Sequence, residues 1–463
     1  MINKTIFKSQ NTDLSIEKLR SNFKGRVIAP GDTEYDNART VFYGGVDRHP
    51  AVIIKAANAD EVSRVVLLAR EAGLELAVRS GGHSGAGHSV TEGGIVLDLS
   101  NMKDLQIDLE SRTAWAETGL TAGEFTTATA THGLGVGFGD TGTVGLGGIT
   151  LGGGVGFLVR KHGLTIDNLL AAELVTADGK ILIADSTNYP DLFWAIRGGG
   201  GNFGVVTKFK FQLHNVDKVY GGMLFLPATA DVIASFIAEA ESASEELSTI
   251  ANVMPAPPMP FLAEEHHGKL IIMAMMVYAG DVANGERVFA PFRALAKPFA
   301  DMLRPMSYTE MYPPEEGGDY HPVAAGRTMF VDHVDRSVAE TILEHLKSST
   351  AMMAVSQLRV LGGAMARIPE DATAFAHRKS RIMVNLAGLY GDPEEKATHE
   401  AWVSKFAKAI QQSDKGAYVN FLADVDEAQV RTAYPHATWE RLRKIKAQYD
   451  PTNLFHMNQN IKP

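Results

Sequence analysis

His83 stands inside RSGGHS, residues 79–84, where two glycines strip away side-chain bulk just ahead of an imidazole. Two further glycine-dense stretches follow, at 139–156 inside GLGVGFGDTGTVGLGGITLGGGVG (133–156) and at 197–204 in RGGGGNFG. Glycine weakens any helix or strand that contains it, so runs of this density point to backbone access or unusual φ. Backbone N–H groups freed of Cβ atoms can converge on phosphate oxygens without help from a lysine. Any one loop alone is better explained as a tight turn between strands. Three of them between residues 79 and 204 favour a phosphate-bearing ligand beside His83. No GxxxxGK[ST] occurs, and no strand–GxGxxG–helix unit carries an acid about 20 residues on, which disfavours an ATPase and a dinucleotide Rossmann unit.

Other titratable groups are less informative. Glu264-Glu265-His266-His267 could suggest a metal, but adjacent side chains point apart, so a solvated turn is expected and no metal site. Glu315-Glu316 reads as exposed loop charge, His377-Arg378 as structural, and His88 as a local hydrogen-bonding residue.

The elements around the loops are legible. Residues 59–73 place Val62, Val65, Val66 and Ala69 on one helical face, with Gly73 as terminator. Strands are expected at Leu76–Val78, Gly94–Leu99, Thr113–Glu117 and 270–279. Asp178-Gly179 between two apolar runs predicts a hairpin over 172–184. Phe209, Phe211 and Leu213 alternate with Lys208, Lys210 and Gln212, a half-buried strand. A short helix is expected at Asp191–Arg197. Trp439, Leu442, Ile445 and Tyr449 recur at helical spacing until Asp450-Pro451, and an amide-rich extended tail follows.

With 463 residues, two or three domains are expected, and a fall in glycine density puts a boundary near 215. Net charge is −10 without a basic run, which argues against nucleic acid as a partner. There is no cysteine, so disulfides, thiolate metal sites, cysteine nucleophiles and thioether links are excluded. No signal peptide or membrane span is recognised, so a soluble cytoplasmic protein with no membrane partner is the expectation.

RSGGHS at 79–84, GTVGLGGITLGGGVGFLVRKHGLTIDN at 142–168, ELVTADG at 173–179 and LFWAIRGGGGNFGVVTKFKF at 192–211 resemble the FAD-binding domain of the vanillyl-alcohol oxidase/p-cresol methylhydroxylase superfamily. ATAFAHR at 372–378 and YDPTNLFHMNQNI at 449–461 are similar to its berberine bridge enzyme-like branch. The likeness runs from about Asp47 to the end and is weakest between 220 and 350. It implies an α+β protein: a PCMH-type FAD-binding domain of two α/β subdomains over 1–215, completed by 436–463. A substrate domain over 216–435, a large antiparallel sheet covered by helices, is implied as well.

The resemblance also implies that His83 bonds to the 8α-methyl of FAD, for which one imidazole nitrogen must be unprotonated. Relatives with a second link have a cysteine where Thr141 stands, so the flavin is expected to be monocovalent. Arg79, Ser80, Gly81, Gly82 and Ser84 match the cofactor-binding positions around His83. Gly139, Gly142, Gly145, Gly148, Gly152, Gly153, Gly154 and Gly156 match those of the second loop. Asp167, Asn168, Val175, Gly204 and Val205 follow, and Asn458 and Gln459 are expected to meet the isoalloxazine or its surroundings.

Val144 matches the gatekeeper position, where a small branched residue accompanies reaction with oxygen. Tyrosines of alcohol-oxidising relatives are replaced by Val155 and Phe421, and a Glu or Gln by Asn385, none of which is a useful base. Tyr418 could replace a lost phenol, although strand alternation would put it on the face opposite Phe421. The implied activity is hydride removal from a small amine or alcohol to flavin N5, with oxygen as second partner and peroxide as product. The alternatives are a flavin dehydrogenase using another acceptor, and an FAD-binding protein without turnover.

Overall fold

The computed structural model describes residues 5–9, 12–313, 321–423 and 426–463, with side chains from Ser15 onward. Glu315-Glu316 lie outside the described residues. No helix among those described is long and apolar enough to cross a membrane, and no group of three or more potential metal ligands occurs among them.

The first layer is a four-stranded sheet of β1 (Arg26–Ile28), β2 (Val52–Lys55), β3 (Leu76–Arg79) and β4 (Ile95–Asp98), in the order β1-β2-β4-β3. The last three run parallel, so β2 and β3 need a crossover, which α1 (Ala59–Ala72) supplies. Its ends are set chemically. The Asn58 side chain accepts the Glu61 N–H, and Gly73 adopts φ 65°, the left-handed closure that glycine takes without a Cβ penalty. Val62, Val65, Val66 and Ala69 are buried against the sheet, as their spacing predicts.

A five-stranded antiparallel sheet follows: β5 (Leu105–Asp108), β6 (Thr113–Glu117), β7 (Leu169–Val175), β8 (Ile181–Asp185) and β9 (Val205–Gln212), ordered β8-β7-β9-β6-β5. The predicted hairpin is β7–β8, turning through Gly179 at φ 80°. Phe209 and Phe211 of β9 enter the core with Phe125 and Phe138. The second glycine loop lies between β6 and β7 and contains the short helix α2 (Leu146–Leu151).

The third layer is an eight-stranded antiparallel sheet. Its long strands are β10 (Lys218–Pro227), β11 (Leu247–Pro255), β12 (Leu270–Tyr278), β13 (Val323–Val331), β14 (Met353–Val360) and β15 (Ile382–Tyr390). They are ordered β10-β12-β11-β14-β15-β13, and the short strands Ala300–Asp301 and Arg304–Ser307 pair with β10. Alternate residues face helices α3 (Ala230–Ser242), α4 (Gly285–Ala294), α5 (Arg336–Lys347) and α6 (Lys396–Ile410): Leu358 and Val360, Val384 and Leu386, Met329 and Val331. The register therefore turns Asn252, Gln357, Asn385 and Thr328, paired strand to strand, toward the other face. This row of polar side chains looks back at the glycine loops.

The chain then returns. Helix α7 (His436–Tyr449) buries Trp439, Leu442 and Ile445 in the core of the five-stranded sheet. Ala417, Val419, Leu422, Val430, Ala433 and Tyr434 are in that core too, so the return starts before residue 436.

Candidate active site

One cavity of about 400 Å³ runs between the layers, within the range usual for ligand pockets. Residues of all three glycine loops, the C-terminal tail and the inner face of the large sheet form its wall.

The first loop leaves β3 at Arg79. Ser80 Oγ donates to the Thr118 carbonyl at 2.5 Å and accepts the Gly147 N–H at 3.2 Å, tying first loop to second. Gly81 and Gly145 then meet backbone to backbone, since a Cβ on Gly81 would lie 2.2 Å from Gly145 N. Gly82 takes φ 75°. His83 lies on the wall and stacks on Phe42 with ring centroids 4.2 Å apart and planes 20° from parallel. Arg79 is not on this wall. It lies behind, on an adjoining groove that shares Phe42 and the loop from Ser80 to His83 with the cavity, where it pairs with Asp98 at 2.9 Å and donates to the carbonyls of Ala38 and Thr40. It thereby holds the segment that delivers Phe42.

From the second loop Gly139, Thr141, Val144, Gly145 and Gly148 reach the wall, and Gly148 has open space where a side chain would stand. Other glycines matched to cofactor positions do not. A Cβ on Gly152 would meet Asn420 Oδ1 at 1.9 Å, on Gly153 the Phe375 ring at 3.0 Å, on Gly154 Thr165 Oγ1 at 1.9 Å, and on Gly156 Gly139 N at 2.3 Å. Gly142 packs on Tyr312 and Gly123. These glycines let other parts of the protein approach. Asp167 is also behind the wall: its two oxygens accept from the fully buried Arg378 guanidinium, each at 2.8 Å, which gives His377-Arg378 its structural place. Asn168 holds the carbonyls of His162 and Leu164, and Val175 is a core residue under Gly204.

The third loop contributes Gly200, Gly201, Gly204 and Val205, and the tail contributes Asn458 and Gln459. Asn202 fastens the two together, donating to the Gln459 carbonyl at 3.1 Å and accepting the Ile461 N–H at 2.9 Å.

On the large sheet, Asn385 is on the wall, with Ala324, Gly326 and Ala387 beside it. Tyr418 corrects an expectation. Val419–Phe421 is a turn of 3₁₀ helix rather than a strand, so Tyr418 and Phe421 both line the cavity, their rings 5.1 Å apart. Tyr418 Oη accepts from Gly154 N at 3.0 Å and Asn420 Nδ2 at 2.9 Å. Burial outweighs these bonds and raises its pKa above the usual tyrosine value, so the phenol stays protonated. The Asn385 side chain makes no hydrogen bond to the described residues, although its backbone is paired on both sides in the sheet.

Among the wall residues to which the sequence assigned no ligand role, three stand out chemically. Asp140 is one; an acid inside GFGDTG is itself a signal. Phe42 is another. His88 is the third and corrects the expectation of local hydrogen bonding by its side chain: Nε2 is buried without a partner, and burial, then Arg48, pushes the pKa down to about 4. The imidazole is neutral and can offer a ligand one donor and one acceptor.

The wall suits FAD. Bare backbone at Gly82 and Gly148, where a Cβ would meet nothing closer than 3.6 Å, admits a pyrophosphate, apolar Leu76, Val78, Leu99 and Phe455 offer room for a flat base, and the buried Asn458 Oδ1 lacks a partner.

Comparison with known proteins agrees. Residues 50–185 match the model described as FAD binding domain, and residues 417–462 the model described as berberine and berberine like. An FAD-linked oxidoreductase of Bacillus subtilis, YvdP, is 32% identical over 95% of this chain and 98% of its own. The (R)-6-hydroxynicotine oxidase of Paenarthrobacter nicotinovorans is 28% identical over 96% of this chain and 97% of its own. The crystal structure of 6-hydroxy-D-nicotine oxidase from Arthrobacter nicotinovorans superposes with a TM-score of 0.84 at 27% identity, covering 95% of this chain and 98% of that one.

Proposed function

The chain belongs to the FAD-linked oxidoreductases of the berberine bridge enzyme-like family, and from that premise we propose that it is an oxidase of a small amine or alcohol with oxygen as acceptor. Bound FAD supplies a two-electron hydride acceptor that oxygen can regenerate, with release of peroxide. Its tether in this proposal is the His83 imidazole alone, since Thr141 occupies the wall and the chain has no cysteine.

The observation that carries the proposal is the continuity of one cavity, from the glycine loops past His83 and Val144 to Asn385, Tyr418 and Phe421. The protein's own residues then have separable tasks. The loops bind and exclude water, Phe42 fixes the plane of the His83 ring, and Val144 leaves room for oxygen beside the flavin. None of Val155, Phe421 or Asn385 can accept a proton at neutral pH. The substrate is accordingly one that arrives already deprotonated or needs little base assistance. The (R)-6-hydroxynicotine oxidase among the relatives, an oxidase by name, supports oxygen as acceptor. In the proposed division of labour, residues 1–215 and 436–463, joined by 417–434, hold the cofactor, and the large sheet within 216–435 selects substrate.

Two measurements test this. Anaerobic bleaching of the flavin is followed against a panel of amines and alcohols, and air is then admitted. Bleaching by a panel member with stoichiometric peroxide is expected; reduced flavin that persists in air refutes the oxidase. After acid precipitation the flavin should stay with the parent protein and leave His83→Ala; flavin retained by the variant refutes the tether.

A further inference from the structure

Asp140 is the one acidic side chain on the cavity wall among the described residues. Arg359, itself buried, holds its Oδ2 at 2.5 Å; the two side chains are 20% and 4% exposed. Arg359 is fixed in turn, donating through Nε to Gln357 Oε1 at 2.9 Å and through Nη1 to the Val155 carbonyl at 3.2 Å. Gln357 donates to Asn252 Oδ1 at 2.9 Å, so the carboxylate is anchored in the polar row across the large sheet. Asp140 cannot turn away without breaking a buried pair. Its other contact is with the Thr141 hydroxyl at 3.4 Å, which leaves lone pairs open to the cavity. Aromatic surface lies close by, because the Arg359 guanidinium is 5.3 Å from the Phe421 ring centroid.

The charge balance selects among ligands. Asp140 and Arg359 sum to zero, so an ammonium ion entering here would lose its hydration shell and meet a carboxylate already paired. An uncharged N–H or O–H donor gains a charge-assisted hydrogen bond without that penalty. Building on the oxidase reading, we infer that Asp140 is a specificity-determining residue that orients the substrate by accepting a hydrogen bond from an uncharged N–H or O–H group, with Asn385 offering a second polar contact. The substrate class is thereby narrowed to neutral amines and hydroxylated rings.

The test is equilibrium binding to the oxidised, flavin-loaded protein, read as perturbation of the flavin absorbance under nitrogen. The probes are phenol and aniline as uncharged donors, anisole as a ring that cannot donate, and benzylamine as a cation at neutral pH. Phenol and aniline should bind more tightly than anisole and benzylamine. Asp140→Asn should weaken phenol and aniline by about tenfold, the loss expected for one bond to a charged acceptor, and leave anisole within about twofold. Flavin content should not change; if Asp140→Asn does not hold flavin, Asp140→Ser is measured instead and should show the same selective loss. An unchanged phenol-to-anisole ratio in the variant, tightest binding by benzylamine, or no perturbation by any probe overturns the inference. Failure of every panel member to bleach the flavin would instead remove the oxidase reading, and the two failures are seen in different experiments.

Discussion

Lys446 and Asp450 sit one helical turn apart at the end of α7, both side chains 0% exposed. All three ammonium donors are engaged, with Asp450 Oδ2 at 2.7 Å and the carbonyls of Asn202 and Phe455 at 2.8 Å. Asp450 also accepts the N–H groups of Leu454 and Phe455, each at 2.8 Å. The cluster thus joins the third glycine loop to the tail that carries Asn458 and Gln459. Burial pulls the Lys446 pKa below its ordinary value in spite of Asp450, so desolvation outweighs the pairing. The sensitive state is therefore the one with a single partner left. Lys446→Met keeps the stem but strands a buried carboxylate, which costs about 3–5 kcal/mol. The two carbonyls that lose a donor add about 1 kcal/mol each. The sum, roughly 5–7 kcal/mol, shifts the ratio of docked to undocked tail by about four decades and is comparable to the stability of a whole domain. Gel filtration should find the variant depleted of flavin, and limited proteolysis should cut the C-terminal segment first. Lys446→Met/Asp450→Leu removes the orphan charge but leaves the two carbonyls and two N–H groups unmet, about 4 kcal/mol at about 1 kcal/mol each, so its urea midpoint should fall between the single variant and the parent. A single variant with the parent's midpoint and flavin content, or a double variant less stable than the single, refutes this account.

Gly145→Ala would bring a Cβ within 2.2 Å of Gly81 N and Ser80 Oγ; the two loops must part, and the ratio of flavin to protein absorbance should fall severalfold. The folded pKa of His88 lies near 4, below the ordinary 6.5, so its contribution to stability is complete above pH 6.5 and is lost as pH falls toward 4. About 2 kcal/mol should be gone by pH 5, and His88→Gln should flatten that part of the melting-temperature profile; an unchanged slope counts against the burial argument. Tyr418→Phe removes the acceptor of the Gly154 and Asn420 donors and should destabilise by about 1–3 kcal/mol in urea titrations. Val144→Leu should slow reoxidation by air at least about tenfold, seen by stopped flow, if a barrier of about 1.4 kcal/mol or more is added at the oxygen path, with anaerobic reduction unaltered.

Elements whose cause is local were legible. The valine spacing and Gly73 mark α1 by themselves, and the Asp178-Gly179 hairpin is closed by its own bonds, Thr176 Oγ1 to Asp178 and the Gly179 N–H to the Thr176 carbonyl. The glycine loops and His83 were also visible as one ligand site. Which glycines face the ligand was not, because Gly148 and Gly152 are alike in sequence and differ only in what comes near them: open space at one, Asn420 at the other. Arg79 and Asp167 look like ligand contacts, yet Asp98 and Arg378 hold them behind the wall. Tyr418 looked like a strand residue because alternation over a few positions cannot tell an unpaired turn from a ladder. Asp140 is conspicuous in its loop, but its role depends on Arg359, 219 residues away.

The register of the large sheet has one more consequence. Position 385 lines the cavity and position 357 anchors the Arg359–Asp140 pair beside it, with 328 next in the same row, while positions 329, 358 and 384 face the helices, on the same three strands. Exchanges at the first set can retune which molecule is accepted without disturbing the layer beneath. A single inserted residue within a strand would interchange the two sets at once. Diversification of such a protein should therefore proceed by replacement within its strands and by lengthening only at the hairpin ends.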